Sequence, residues 1–149
     1  MPGSGTIVIV GGGVVGSSIA YHLRRDGHAG RVVVVERDPT YVRASSFLAM
    51  GGIRQQFSSA VNIQLAQYST RFYAAFDRAL RVPGHVPHAN FRQRGYLFLV
   101  DDGMADRFEA RVERQRRLGA HVERLTLDQL RALVPGVRLD DIRFGVFGP

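Results

Sequence analysis

The sequence predicts an α/β fold that begins with a βαβ unit. An apolar run, Thr6–Val10, leads directly into a glycine-rich turn, Gly11–Gly16. A helical pattern follows, and a second apolar run, Val32–Val35, ends on Glu36. A strand, a glycine turn, a helix and a second strand closed by an acid are the elements of a Rossmann-like unit in their expected order.

The glycines of the turn each have a predicted role. Gly11 permits the tight turn out of the strand, and Gly16 lets the helix pack closely on the strand. Gly13 has no Cβ, so the backbone can approach a pyrophosphate, and the helix N-terminus offers its unpaired N–H groups to phosphates. This pattern predicts a dinucleotide site. The alternative is a doubly wound domain that binds no nucleotide.

Glu36 indicates which dinucleotide would fit. It lies 20 residues after Gly16, where a carboxylate can accept hydrogen bonds from a ribose hydroxyl and would repel a 2′-phosphate. This favours FAD or NAD over NADP, although the neighbouring Arg37 weakens the argument.

The first helix is predicted over Val14–Asp26, and Gly27 is a natural stop for it. The second strand, Arg31–Glu36, is rich in valine, which is typical of a parallel strand buried on both faces. The polar, glycine-containing segment Asp38–Ser59 then predicts a long loop. Loops of this length inside a compact domain are usually functional, and this one suits a chain that runs along a cofactor. The alternative is a flexible surface excursion.

A long helix is predicted over Ala60–Leu80, and the segment Val82–Asn90, with its Pro and Gly residues, reads as a connection. We therefore predict two domains, residues 1–82 and residues 83–149. An apolar stripe on the long helix predicts core packing: Val61, Leu65, Tyr68, Phe72, Phe76 and Leu80.

The second part is predicted to alternate strands and helices. Thr126 and Gln129 have the spacing of a capping box at a helix start. The predicted elements are a strand at Gln93–Val100, a turn at Asp101–Gly103, a helix at Met104–Leu118, a strand at His121–Leu125, a helix from Thr126 through Val134 and a strand at Ile142–Phe147.

Composition excludes several classes of site. The chain of 149 residues is 45% hydrophobic and 22% charged, as in a soluble globular domain. It has no Cys, so it has no disulfide, thiolate ligand or cysteine nucleophile, and its His residues lack metal-ligand spacing. The apolar region Ile7–Val15 is too short to span a membrane, and the N-terminus lacks a basic signal region. We expect a cytoplasmic protein with no membrane insertion.

The net charge of +7 does not indicate a nucleic-acid partner. All 20 basic residues are Arg, most of them scattered, and no nucleic-acid-binding motif is present. Arg114, Arg116 and Arg117 cluster on one predicted helix, where a solvated face explains them. A basic chain also suits an anionic cofactor and an acidic substrate.

These motifs together resemble one family. The chain is similar to the N-terminal part of D-amino-acid-oxidase-like flavoproteins, which include sarcosine, dimethylglycine and glycine oxidases. The string within Gly51–Ser58 is especially similar to a subgroup that contains a mitochondrial complex I assembly flavoprotein. The resemblance is carried by Gly11–Leu23, Val34–Arg37, Ser45-Ser46, Gly51–Ser58, Gln93–Leu99 and Leu130–Val137.

The resemblance implies a Rossmann-like FAD-binding domain with the start of an α+β substrate domain, and FAD as the cofactor. The contacts it implies are Gly11, Gly13, Val15 and Gly16 at the pyrophosphate, Glu36 at the ribose, Arg37 near the adenine, Ser45 and Ser46 at the phosphates, and Ala49 and Gly51 on the flavin side.

The resemblance also implies a reaction, oxidation of the C–N bond of an amino acid or N-methylated amine by hydride transfer to flavin. Arg54 matches a position that holds the substrate carboxylate in some members, and a guanidinium can clamp a carboxylate through two hydrogen bonds. A structural ion pair and a phosphate contact are the alternatives for Arg54.

Two other functions remain open from the sequence. One is a flavoprotein with a binding or assembly role, and the other is a nicotinamide-dependent dehydrogenase, against which the long loop after Glu36 argues. Members of the resembled family are more than twice as long as this chain. We therefore expect an N-terminal portion that binds FAD weakly and does not turn over alone. The residues that choose the amine and the electron acceptor are expected beyond Pro149.

Overall fold

The computed structural model describes residues 4–149 and combines helices and strands in an α/β arrangement. The chain forms two compact units, Met1–Gly52 and Ile53–Pro149. The boundary predicted between residues 82 and 83 separates a cofactor-binding domain from a substrate domain. It is a division by function, which the two compact units do not test, and it stays a prediction.

The first unit contains the predicted βαβ motif. It consists of β1 (Ile7–Val10), α1 (Val14–Arg25) and β2 (Val32–Val35), and the two strands pair in parallel. The N–H of Gly11 donates to the carbonyl of Val35 over 2.8 Å, which extends the pairing into the glycine turn. The hydrogen bonding between β1 and β2 therefore continues to the first residue of the glycine turn.

The valines of β2 are more exposed than the sequence predicts. Val32 and Val33 are half-buried, and the side chains of Val34 and Val35 are exposed, Val35 by 51%. The expectation of burial on both faces is wrong for this unit. Its sheet has two strands, so the helix and strands in its described residues cannot cover both faces of β2.

The second unit is built on an antiparallel sheet of three strands in the order β3-β5-β4. Tyr96 lies opposite Gly148 in one pairing, and Glu123 lies opposite Phe147 in the other. The elements of this unit are α3 (Ala60–Ala74), α4 (Phe76–Ala79), β3 (Tyr96–Val100), a 3₁₀ turn (Asp102–Met104), α5 (Ala105–Arg117), β4 (Glu123–Leu125), α6 (Leu127–Leu133) and β5 (Phe144–Gly148).

Residues of β5 alternate between the two faces of this sheet, as strand geometry requires. Phe144 and Val146 are fully buried in one hydrophobic cluster, with Val100 of β3 and Val112 of α5. On Gly145, between them, a Cβ would lie 2.5 Å from Leu130 Cδ2 of α6. The core of this unit therefore has helices against both faces of the sheet.

The capping box at the start of α6 is confirmed. The N–H of Gln129 donates to Thr126 Oγ1 over 3.3 Å, and the N–H of Thr126 donates to Gln129 Oε1 over 2.8 Å. Helix α5 also forms close to its predicted bounds and ends before Gly119, which has φ +79°. Local capping and turn chemistry therefore define both helices.

The long helix predicted over Ala60–Leu80 is divided in two. Helix α3 ends at Ala74, and the short α4 begins at Phe76. The N–H of Ala75 is shared between the carbonyls of Arg71 and Phe72, at 3.3 and 3.1 Å. This tightened turn interrupts the regular ladder of hydrogen bonds.

The predicted core stripe of that helix is wrong in its first half. Val61, Leu65 and Tyr68 are exposed, Leu65 by 59%, whereas Ile63 is completely buried and Ala66 is buried beside it. The prediction followed one set of apolar residues at three- and four-residue steps, but the core packs against the Ile63 and Ala66 face of α3. The rest of the stripe, Phe72, Phe76 and Leu80, is half-buried.

Three smaller elements also differ from expectation. The segment predicted as a loop after Asp38 contains a short helix, α2 (Ser45–Leu48), and β3 begins at Tyr96 rather than Gln93. The predicted turn after β3 is the 3₁₀ turn, in which the N–H of Met104 donates to Asp101 Oδ1 over 2.9 Å.

Across residues 4–149, no helix is both long and apolar enough to cross a bilayer.

Candidate functional site

A cavity of about 880 Å³ lies in the first unit, where β1 and β2 end. The carboxyl ends of parallel strands are where α/β folds bind ligands. The glycine turn, the start of α1 and the segment that follows β2 form its walls. It brings together most of the predicted cofactor-binding residues: Gly11, Gly13, Val15, Gly16, Glu36, Arg37, Ser45 and Ser46.

The glycines of the turn differ in the space around them. Gly11 has φ +101°, the left-handed conformation that the tight turn needs. A Cβ on Gly16 would overlap the carbonyl oxygen of Gly11 and approach Ile9 within 3.1 Å, so glycine there allows α1 to pack on β1. A Cβ on Gly13 would meet no atom within 4 Å. The space beside Gly13 is therefore open to a ligand.

Gly13 is also the N-cap residue of α1, and no side chain caps this end of the helix. The first N–H groups of a helix have no partner within the helix, and together with its dipole they attract anions. The open space at Gly13 and these N–H groups suit a pyrophosphate that approaches the backbone.

Glu36 connects the end of β2 to the glycine turn. Its Oε2 accepts from the N–H of Gly12 over 2.7 Å, and its Oε1 accepts from the N–H of Asp38 over 2.9 Å. Hydrogen bonds from the N–H groups of Asp38 and then Gly12 lower the pKa of Glu36 below its ordinary value of 4.5. Glu36 is therefore an ionised acceptor at neutral pH, in the wall of the cavity.

The start of the loop that was predicted to run along a cofactor also lines the cavity, through Asp38, Thr40 and Tyr41, which the sequence analysis did not name as site residues. Thr40 donates two hydrogen bonds to Asp38 Oδ1, one from its hydroxyl and one from its N–H over 3.0 Å. These bonds lower the pKa of Asp38. Tyr41 follows with φ +58°, which is uncommon for a residue with a side chain. The Asp38-Pro39-Thr40 sequence favours a turn, and this preference was the signal that could have identified the segment.

Other predicted site residues are placed elsewhere. Ala49 and Gly51 do not belong to the lining of this cavity, although Gly51 has φ +73°. Arg54 belongs to the second unit. Its guanidinium carbon lies over three aromatic rings, 5.0 Å from the centroid of Phe57, 5.5 Å from that of Tyr96 and 5.3 Å from that of Phe98.

Arg54 lacks a conventional polar partner within residues 4–149. Its Nε is inaccessible and has no hydrogen-bond partner, and no carboxylate of the described residues forms an ion pair with it. The sequence did not associate the three rings with Arg54. The only signal was the period-two spacing of Tyr96 and Phe98, which places both on one face of β3.

Comparison with known families decides the class of protein. The sequence model of the family described as FAD dependent oxidoreductase matches residues 6–149. The chain belongs to the FAD-dependent oxidoreductase family. The resemblance to D-amino-acid-oxidase-like enzymes is thereby confirmed, and FAD is the cofactor of this family.

Several curated relatives are similar over almost the whole chain. FAD-dependent oxidoreductase domain-containing protein 1 is 41% identical in Xenopus laevis and 40% identical in Bos taurus, over 99% of this chain. The chain spans only 30% and 31% of those two proteins. Mitochondrial dimethylglycine dehydrogenase of Rattus norvegicus is 27% identical over 95% of this chain and 16% of its own length.

Solved structures of FAD-dependent oxidoreductases share this fold. L-proline dehydrogenase from P. horikoshii superimposes with a TM-score of 0.79 and 28% identity, over 100% of this chain and 37% of its own. Glycine oxidase from Bacillus cereus gives a TM-score of 0.65 at 21% identity, over 99% of this chain and 39% of its own, a likeness of fold. The predicted α/β class is confirmed.

The cavity of the first unit fits FAD in the chemistry of its walls. It combines an open backbone approach at Gly13, a helix N-terminus and the ionised carboxylate of Glu36. These are the groups that hold a pyrophosphate and a ribose in dinucleotide-binding folds. The individual contacts with FAD stay predictions for every lining residue that the sequence analysis named: Gly11, Gly13, Val15, Gly16, Glu36, Arg37, Ser45 and Ser46.

Proposed function

We propose that this chain is the cofactor-binding and substrate-binding N-terminal part of an enzyme that oxidises the C–N bond of an amino acid or N-methylated amine. Family membership supports the oxidoreductase class. Relatives named for dimethylglycine and proline, at 27% and 28% identity, support a small amino acid as the class of substrate. The observation that carries the proposal is Arg54, a guanidinium without an anionic partner in the described chain.

The first unit would hold the cofactor. The N-terminus of α1 and the open space at Gly13 would receive the pyrophosphate, and Glu36 would accept hydrogen bonds from the ribose. Ser45, Ser46 and Arg37 would complete the same cavity, and Ala49 and Gly51 would pass the flavin side. Bound FAD supplies the acceptor for the hydride that leaves the carbon next to the substrate nitrogen.

Arg54 would hold the substrate by its carboxylate. A planar guanidinium presents N–H donors in a fork that matches two carboxylate oxygens, which restrains both the position and the rotation of a bound amino acid. Such a restraint lets the enzyme present one particular C–H bond for reaction, which is the main contribution of a positioning group. The imine formed when a hydride and a proton are lost would then hydrolyse.

Activity of this kind is proposed for a longer protein that includes this chain, because the chain spans about a third of the relatives that it matches. The test compares the chain with any longer protein that its reading frame encodes past Pro149. Each is purified with FAD, and the visible spectrum is recorded without oxygen before and after addition of sarcosine, glycine or D-amino acids. Bleaching of bound flavin by one of these supports amine oxidation.

A binding or assembly role is the second candidate. The motif within Gly51–Ser58 and the 41% identity to FAD-dependent oxidoreductase domain-containing protein 1 favour it. Bound flavin that none of the amines bleaches would favour this role over the first. Failure to bind flavin would contradict both roles. A nicotinamide-dependent dehydrogenase is disfavoured by the family match itself.

A further inference from the structure

The surroundings of Arg54 suggest how its guanidinium is kept available for a ligand. Phe57, Tyr96 and Phe98, here called the Arg54 cage, lie with their ring centroids 5.0–5.5 Å from its guanidinium carbon. Rings at this distance attract a cation through the negative charge of their faces. A ring offers no lone pair of the kind that a carboxylate offers. The Arg54 cage therefore stabilises the charge without occupying the N–H donors.

The donors of Arg54 are otherwise unused within residues 4–149. Its Nε is inaccessible and unpaired, and none of the described carboxylates reaches the guanidinium. Two other arginines of this unit form ion pairs, Arg124 with Glu109 at 2.7 Å and Arg143 with Asp102 at 3.1 Å, whereas Arg54 is half-buried against three rings. A half-buried cation that keeps free donors is arranged to receive an anion rather than to bridge two parts of the fold.

The segment that carries Arg54 is fastened by two buried amides. Gln56 is 7% exposed, and its Nε2 donates to the carbonyls of Tyr96 and Val146, each over 3.1 Å. Gln115 Nε2 donates to the carbonyl of Phe57 over 2.9 Å. These bonds hold the C-terminal end of the residue 54–57 segment against β3 and β5 and tie it to Gln115 of α5. The backbone on either side of the cage, at Phe57 and at Tyr96, is thus held by hydrogen bonds from buried glutamines.

We propose that Phe57, Tyr96 and Phe98 are positioning residues that hold Arg54 as a preformed fork for a carboxylate. The inference rests on the proposed role of Arg54 and adds the group that prepares it. A single guanidinium between aromatic rings matches a ligand with one carboxylate, which is planar and carries one negative charge, attached to a small apolar group. A phosphate, with more charge and a stronger hold on water, suits such walls less well.

The test needs neither FAD nor turnover, so its outcome is independent of whether the protein oxidises amines. Arginine Nε–Hε signals of the 149-residue chain are recorded by NMR while acetate is added, with inorganic phosphate as the comparison. We expect one signal shifted by the ring currents of the cage, absent in Arg54→Lys, that moves further with acetate. Equal responses to acetate and phosphate would overturn the carboxylate preference.

Variants of the cage test its positioning role. Tyr96→Leu is expected to move the chemical shift of the Arg54 signal toward those of the other arginines and to weaken acetate binding about tenfold. Tyr96→Phe keeps the ring and is expected to retain both the chemical shift and the acetate affinity. Tyr73→Leu is the matched control, since its ring stacks on Phe76 and Phe91 instead. Phe57→Leu repeats the test outside the sheet, in case Tyr96→Leu fails to fold. Unchanged acetate affinity in a folded cage variant would overturn the proposal.

Discussion

The carboxylate of Glu36 accepts a hydrogen bond from the N–H of Gly12 over 2.7 Å, although the two residues are 24 positions apart in the chain. The bond joins the end of β2 to the glycine turn after β1. The acid that would select the ribose therefore also shapes the turn that would receive the pyrophosphate. A second bond, from the N–H of Asp38, uses the other carboxylate oxygen.

Glu36 therefore gives the first unit a defined pH dependence. Its pKa lies below 4.5, because N–H groups of Asp38 and Gly12 stabilise the ionised form. A lowered pKa in the folded chain means that the contribution of Glu36 is complete above about pH 4.5 and is lost as the pH falls through the lowered value. The Cδ signal of Glu36 in carbon NMR should titrate in that acidic range.

Glu36→Gln provides the matched variant for this titration. It keeps the size of the side chain but replaces one accepting oxygen by an amide, so one of the two N–H groups loses its partner. We expect weaker FAD binding at neutral pH, by about tenfold, because the ribose also loses an ionised acceptor. Flavin fluorescence titrations at pH 7 measure this, and equal affinities for the two proteins would contradict the assignment of Glu36 to the ribose.

Gly13 and Gly16 should respond differently to alanine. At Gly13 a Cβ has open space, so Gly13→Ala should fold with a loss of about 1 kcal/mol or less, yet bind FAD on the order of tenfold more weakly. At Gly16 a Cβ overlaps the carbonyl of Gly11, so Gly16→Ala should destabilise the unit by about 1–3 kcal/mol.

Thermal unfolding followed by circular dichroism, together with FAD titration, separates these two effects. Gly5→Ala is a suitable control, because a Cβ there also meets no atom within 4 Å and the residue does not line the cavity. Normal FAD binding by Gly13→Ala would show that the open space at Gly13 does not receive the pyrophosphate.

Much of the fold could be predicted from the sequence because local chemistry decides it. The glycines of the turn, the strand preference of the valine run and the Thr126–Gln129 capping box are properties of short sequence stretches, and the structure has all three where the sequence places them. The interruption at Ala75 and the face that α3 buries depend instead on what packs against the helix. Periodicity alone cannot report that.

The candidate site likewise contains residues that a local sequence pattern identifies and residues that only the fold brings together. Gly13 and Glu36 could be found because their spacing carries the chemistry. The Arg54 cage could not, because Tyr96 lies 42 residues after Arg54 and only the fold brings the two side chains together. Tyr41 was missed for another reason: its positive φ is a property of the backbone that its side chain does not favour.

The buried face of α3 can be tested by a pair of substitutions. Ile63 is completely buried in the core of the second unit, so Ile63→Ala should cost about 2–5 kcal/mol of unfolding free energy. Leu65 is 59% exposed, so Leu65→Ala should change stability by about 0.5 kcal/mol or less. Urea denaturation of both variants decides whether the sequence stripe or the Ile63 face lies in the core, and a larger loss for Leu65→Ala would favour the stripe.

Arg54→Lys separates the shape of the guanidinium from its charge. Lysine keeps the positive charge but loses the planar fork, so a substrate held by two parallel hydrogen bonds should lose one of them. In a longer protein that oxidises amines as proposed, KM for an N-methylated amino acid should rise by about tenfold or more, because a charge-assisted hydrogen bond is worth about 1.5–3 kcal/mol. An amine that lacks the carboxylate should show the same KM with either protein, since it makes no use of the fork. If KM for both compounds rises equally, Arg54 supports the fold of the site rather than the carboxylate. If KM changes for neither compound, Arg54 does not bind the carboxylate of the substrate.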